Sequence, residues 1–184
     1  MLRNIVIIAF MATILVAQEE ALTIIPNFQF TFLLIITYSV VFGFKRTFFI
    51  ILIHVLLDNL LMGTFNVFAI CPMLFSYTLI PLVISIFKIT NSVKLAFLSI
   101  LFSLIYAISF IPFGLYILDV KFEQYIIADI PYDLVLICTN FLLVLWVYEP
   151  LRKVLNMLIA DYEMKNSYDE IEDIEHKEGA DNEN

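Results

Sequence analysis

Glycine is scarce, with four in 184 residues. Charged side chains make up only 15% of the chain, whereas a soluble domain carries about a quarter. Cysteine occurs twice, as Cys71 and Cys138, each inside an apolar run. Two such cysteines, with no Cys/His spacing that suits zinc, make neither a disulfide framework nor a metal site, so both are read as packing residues. There is no phosphate-binding Gly-rich loop, no nucleophile elbow and no HExxH motif. No enzymatic activity and no cofactor are therefore expected, and the chain cannot hydrolyse ATP by itself.

What is abundant is apolar surface: 62% of the residues are hydrophobic. The charge that remains is unevenly placed. Residues 161–184 hold ten acidic and two basic side chains, whereas residues 1–160 hold eight of each. The low isoelectric point thus belongs to a tail, and an acidic tail argues against a nucleic-acid partner. The expected organisation is a transmembrane body over 1–160 and an acidic cytoplasmic tail over 161–184. The tail could form a short helix near Tyr168–Ile174, and disorder is expected for its end. A solvated tail and a docking segment for a cytoplasmic partner are both open readings.

A helix needs roughly 20 apolar residues to cross the hydrocarbon core. Six segments qualify or nearly so: about 3–18, 28–44, 47–63, 67–88, 94–118 and 132–150. Arg3 before the first run resembles a signal peptide. No clean small-residue cleavage site follows, so the first run is read as a retained helix. Turns are expected at Lys45-Arg46, at Gly63–Asn66 and at Thr90–Ser92, with a longer loop over Asp119–Pro131. The fold class is an all-α integral membrane protein with six transmembrane helices. With the N-terminus inside, Arg3, Lys45, Arg46, Lys88, Lys94, Arg152 and Lys153 fall on the inner side and only Lys121 on the outer. Seven against one satisfies the positive-inside rule, and six spans return the C-terminus to the cytoplasm. The location is the cell membrane, multi-pass.

Ionisable groups within a membrane usually face a cavity or a partner. On this topology Gln18, Glu19 and Glu20 end the first helix at the outer side, and Asn27 and Gln29 open the second there. Asp58 and Asn59 sit in the outer third of the third helix, Asp129 and Asp133 flank the start of the sixth, and Asn140 lies one to two turns deeper. Polar groups from four helices at one depth suggest an outward-facing pocket with aromatic walls from Phe28, Phe30, Tyr106, Phe110, Tyr116 and Tyr132. The bland alternative is that they cap helices at the headgroup level. That alternative suits Asp129 and Glu123 and suits Glu19 and Asp58-Asn59 poorly. His54 and Asp58, four apart, share a helix face. An internal hydrogen bond between them is expected, with a proton relay or metal site as the alternative. Asp129 is expected to cap the sixth helix ahead of Pro131, which leaves Asp133 free for a ligand.

Several short stretches carry a resemblance. They are Ile-Pro-Asn-Phe-Gln-Phe-Thr at 25–31, Phe-Gly-Phe-Lys-Arg-Thr at 42–47 and Leu-Asp-Asn-Leu-Leu-Met-Gly at 57–63. Ala-Asp-Ile-Pro-Tyr-Asp at 128–133 and Glu-Pro-Leu-Arg-Lys-Val-Leu at 149–155 complete the set. In order, size and topology, residues 5–155 resemble the substrate-binding S components of energy-coupling factor (ECF) vitamin transporters. The resemblance implies a subunit of an ABC-type importer that captures a water-soluble, vitamin-like molecule from outside. It implies as partners a transmembrane coupling protein and two cytoplasmic ATPases. It also implies that small residues on the first helix touch the coupling protein; Ala9 and Ala12, with Met11, are the candidates. The candidate substrate-binding residues are Glu19, Asn27, Gln29, Asp58, Asn59, Tyr106, Asp133 and Asn140. Two other classes remain open: a membrane scaffold of the rod-shape-determining (MreD-like) kind, and a stand-alone proton-coupled carrier that uses His54, Asp58 and Glu19.

Overall fold

The structure, a computed structural model, describes residues 2–22, 29–63, 65–117 and 119–182, with side chains between 4 and 160. Every regular element among these residues is helical: α1 (Leu2–Leu22), α2 (Thr31–Leu61), α3 (Val67–Phe87), α4 (Ser92–Ser109), α5 (Ile111–Tyr116) and α6 (Phe122–Asn182). Five helical stretches are long and apolar enough to cross a membrane: Asn4–Leu22, Thr31–Leu61, Val67–Phe87, Ser92–Tyr116 and Phe122–Ala160. Large apolar side chains cover their outer faces. Phe87, Trp146 and Leu60 are each more than 60% exposed, which suits contact with lipid rather than water. Cys71 and Cys138, expected to pack inside, are also on the exposed surface. The chain divides into two compact units, Met1–Tyr148 and Glu149–Asn184.

The second and third expected spans are merged into α2, but α2 is not straight. Gly43 sits at φ 74, ψ 178, outside helical space. The rings of Phe32 and His54 lie 5.6 Å and 5.9 Å from the same Tyr77 ring. In a straight helix, 22 residues would separate them by roughly 33 Å. The chain therefore doubles back at Gly43, and the far ends of its two limbs, 31–42 and 44–61, meet. The turn read at Lys45-Arg46 is real, and its pivot lies two residues earlier.

The other connections follow from local chemistry. Asn66 and Asn91 cap α3 and α4 by accepting backbone N–H bonds, from Ala69 at 3.0 Å and from Val93 at 3.0 Å. Lys88 and Gly63 take left-handed conformations where α3 and α2 end. Pro81 sits inside α3, where its missing N–H leaves the Tyr77 carbonyl without the usual helical donor.

The span expected over 94–118 is present as Ser92–Tyr116, with α4 passing into α5 at Phe110. One expectation about the last helix needs correction. Helix α6 starts at Phe122, not near Pro131, so Asp129 is within the helix and does not cap it. The early start is fixed by close packing in which Tyr125 lies over Gly114, where a Cβ would meet the ring at 2.2 Å. The backbone of α6 is helical to Asn182, across the segment expected to be a tail.

One end of the first unit gathers the Gly43 reversal, Lys88 and Thr90 around a shared groove. Tyr148 Oη donates to Thr90 O at 3.1 Å and joins α6 to this end. The other end holds Gln18, Thr31, Asp58 and Asn66. These are called the basic and polar ends below.

A Cβ at Gly43 would meet no neighbour within 4 Å, so a substitution there tests the backbone alone. Gly43→Ala is expected to cost about 1–3 kcal/mol, because this region of φ/ψ space is nearly closed to other residues. Thermal unfolding in detergent measures it, and an unchanged midpoint contradicts a reversal at Gly43.

Candidate functional site

The first limb of α2 begins inside the protein: Thr31 is fully buried. A helix that starts away from water leaves its first N–H groups in need of acceptors. Gln18 of α1 answers part of that need. Its Oε1 accepts from Phe30 N at 2.8 Å, and its Nε2 donates to Leu15 O at 3.0 Å and to Thr31 Oγ1 at 2.6 Å. The Thr31 hydroxyl in turn donates a hydrogen bond to Glu19 Oε1. A carboxylate at the start of a helix also suits the positive end of the helix dipole.

The other oxygen of Glu19 faces the second limb. Glu19 Oε2 lies 3.4 Å from His54 Nε2, and the Asp58 carboxyl is within hydrogen-bonding reach of Glu19. His54 is fully buried and Asp58 is 8% exposed. Neither ring nitrogen of His54 makes a hydrogen bond among the described residues; the contact with Glu19 is a close approach of ionisable groups. The expected hydrogen bond between His54 and Asp58 is thus replaced by a shared neighbour, Glu19.

Aromatic rings close the inner side of this cluster. Phe32, Tyr77 and Tyr106 form a triangle with centroids 5.6, 5.7 and 5.4 Å apart. Phe110 extends it at 4.8 Å from Tyr106. His54 packs against Tyr77, so the imidazole lies between the rings and the carboxyls. Five segments thus contribute to one buried point: α1, both limbs of α2, α3 and α4.

Of the expected binding residues, Glu19, Asp58 and Tyr106 come together here. Asn59 is turned away: its amide donates to Val55 O at 2.9 Å and to Met73 Sδ at 3.2 Å. Adjacent helical residues point about 100° apart, so Asp58 and Asn59 cannot serve one site equally. Asn140 is fully buried but donates to Ser103 Oγ at 2.8 Å, one turn of α4 from Tyr106. Asp133 is half-buried beside Asp129 on α6. Gln29 is half-buried ahead of α2, while Asn27 and Phe28 lie outside the described residues. Two expected wall residues are largely exposed, Tyr116 at 73% and Tyr132 at 50%.

The sequence reading missed Thr31, Phe32 and Tyr77. A polar signal existed for two of them: Ser76-Tyr77-Thr78 interrupts an apolar run, and Thr31 closes the 25–31 stretch. Among the described residues no group of three or more His, Cys, Asp or Glu could hold a metal ion.

On α1 the two alanines expected to meet a partner diverge. Ala12 is fully buried, so it packs inside the protein and is unavailable to another subunit. Met11 is likewise buried, at 7%. Ala9 is exposed, and so are Thr13, Ala17 and Ala21 at four-residue steps. Thr13 Oγ1 donates to Ala9 O at 2.9 Å, which leaves this line of small side chains without an unpaired hydroxyl proton.

Thr31 is the link between Gln18 and Glu19, and Thr31→Val removes both bonds with little change in volume. The expected loss is about 1–3 kcal/mol, because Glu19 Oε1 and the Gln18 amide lose a buried partner. Thermal unfolding of the purified protein reads it; an unchanged midpoint would mean that these bonds do not form.

No protein-family model, no curated protein and no solved structure matches the chain.

Proposed function

We propose that this chain is the membrane-embedded substrate-binding subunit of an ECF-type ABC importer. It captures a small, water-soluble, vitamin-like molecule at its polar end, facing outward. Six spans cross the cell membrane with both termini in the cytoplasm, the two limbs of α2 counting as separate spans. A transmembrane coupling protein and two cytoplasmic ATPases supply the energy.

The observation that carries this reading is the convergence of Glu19, His54 and Asp58 at one buried point walled by Phe32, Tyr77 and Tyr106. Ionisable groups buried within apolar helices are costly and mark functional sites. A few placed polar groups against aromatic walls are the usual make-up of a small-molecule site. Two further features support it. The reversal at Gly43 divides α2 in the way that six spans require. The exposed line Ala9, Thr13, Ala17 and Ala21 suits close approach of another helix, as small residues do in membranes.

A second reading has one observation in its favour. Carboxyls and an imidazole in contact also suit a carrier that moves protons with its substrate. A scaffold without a ligand has no use for the cluster.

Purification from native membranes tests the proposal. A small molecule released on denaturation and detected by mass spectrometry, together with co-purifying ATPases, is expected. Glu19→Ala and Asp58→Ala should each weaken binding of that molecule more than tenfold, about 1.4 kcal/mol or more. Ala17→Leu should spare binding and abolish co-purification. Uptake that survives loss of the ATPases and collapses with the proton gradient would establish the carrier instead, and absence of any released molecule would favour the scaffold.

A further inference from the structure

The cluster at the polar end is unbalanced in charge. Glu19 and Asp58 are within hydrogen-bonding reach of each other, and Glu20 adds a third acid that acts on both. Two carboxyls can bond to each other only through a proton, so a Glu19–Asp58 pair that shares a single proton carries one negative charge. Among the described residues, no lysine or arginine is one of the groups that act on Glu19 or Asp58. The basic side chains Lys45, Arg46, Lys88 and Lys94 flank the Gly43 reversal and the α3–α4 connection, at the opposite end.

His54 is the second, independent sign of a missing partner. It is fully buried, yet neither ring nitrogen makes a hydrogen bond among the described residues. A buried polar atom left without a partner destabilises the fold unless something satisfies it. Its Nε2 lies 3.4 Å from Glu19 Oε2, so the unfilled capacity of the imidazole is beside the carboxyls. The aromatic triangle adjoins the imidazole through Tyr77. Aromatic faces attract cations and give anions nothing comparable.

We propose that the Glu19–His54–Asp58 cluster selects a small organic cation, a protonated amine or positively charged ring bearing N–H donors, over neutral and anionic molecules. This rests on the cluster being the ligand site proposed above. The carboxyls accept the N–H donors and balance the charge. His54 completes the polar contacts, and the Phe32–Tyr77–Tyr106 wall packs against the rest of the ligand. An anionic ligand would meet two carboxyls and no cation. A bare metal ion is not favoured, because no three ligating side chains of the described residues are disposed to hold one.

A matched series on one ring isolates the charge. 1-Methylnicotinamide, nicotinamide and nicotinate carry a positive, zero and negative charge on the same pyridine frame. Each is titrated into the full chain in lipid nanodiscs, by calorimetry and by shift of the unfolding midpoint. The cation is expected to bind at least tenfold tighter than the other two. Glu19→Gln, which keeps shape and removes charge, is expected to erase that preference; if it does not fold, Asp58→Asn is read in its place. Equal affinities, a preference for nicotinate, no binding of any of the three, or a preference that survives in the variant overturns the cation proposal. Whether any small molecule is released from the native protein is measured separately, so the binding-subunit reading can stand while the charge assignment falls.

Discussion

The carboxyl of Glu19 is the joint on which the polar end depends. One oxygen accepts a hydrogen bond from the Thr31 hydroxyl at the start of α2. The other faces His54, and Asp58 is in reach from near the end of α2. Through one side chain, α1 is tied to both limbs of a helix that has doubled back on itself. Remove it, and the buried start of α2, the imidazole and the second carboxyl each lose a partner. In an apolar body such losses are not made good by water.

That joint also explains the division of labour along the helices. The Gly43 reversal and the connection after Lys88 lie at the basic end, where backbone geometry and Tyr148 hold the chain together. The polar end is held by side-chain bonds that run from Gln18 through Thr31 to Glu19. Between them, α2 and α3 are filled with apolar and aromatic side chains such as Phe32, Ile50, Tyr77 and Ile80, all fully buried. A cluster supported by rings on one side and by its own bonds on the other can keep the buried histidine beside Glu19 in place. This is the pre-organisation that a binding site needs.

Much of this was legible in the sequence. Long apolar runs gave the helices, and the turns read at Gly63–Asn66 and Thr90–Ser92 fall where α3 and α4 begin. Glu19 and Asp58 stood out because each is an acid close to a long apolar run, where an ionisable group is costly unless it faces a cavity or a partner. Other features were not legible. Nothing in a run of apolar residues says which face is inward, so Asn59 was grouped with Asp58 although one helical step separates their directions. Ala9 and Ala12 diverge for the same reason. Pro131 suggested a helix start because proline is favoured in a first turn. Contacts from Tyr125 onto Gly114, remote in sequence, instead extend the helix back to Phe122. Thr31, Phe32 and Tyr77 become site residues only when α2 reverses and brings its ends to one point.

The central claim is that Thr31 and Asp58, 27 residues apart, act through the same carboxyl. A double-mutant cycle of Thr31→Val and Asp58→Asn, read as unfolding free energy in detergent, measures it directly. Shared dependence on Glu19 predicts a coupling of at least about 0.5 kcal/mol between the two substitutions. Additivity, with the double variant equal to the sum of the singles, would contradict the joint at Glu19.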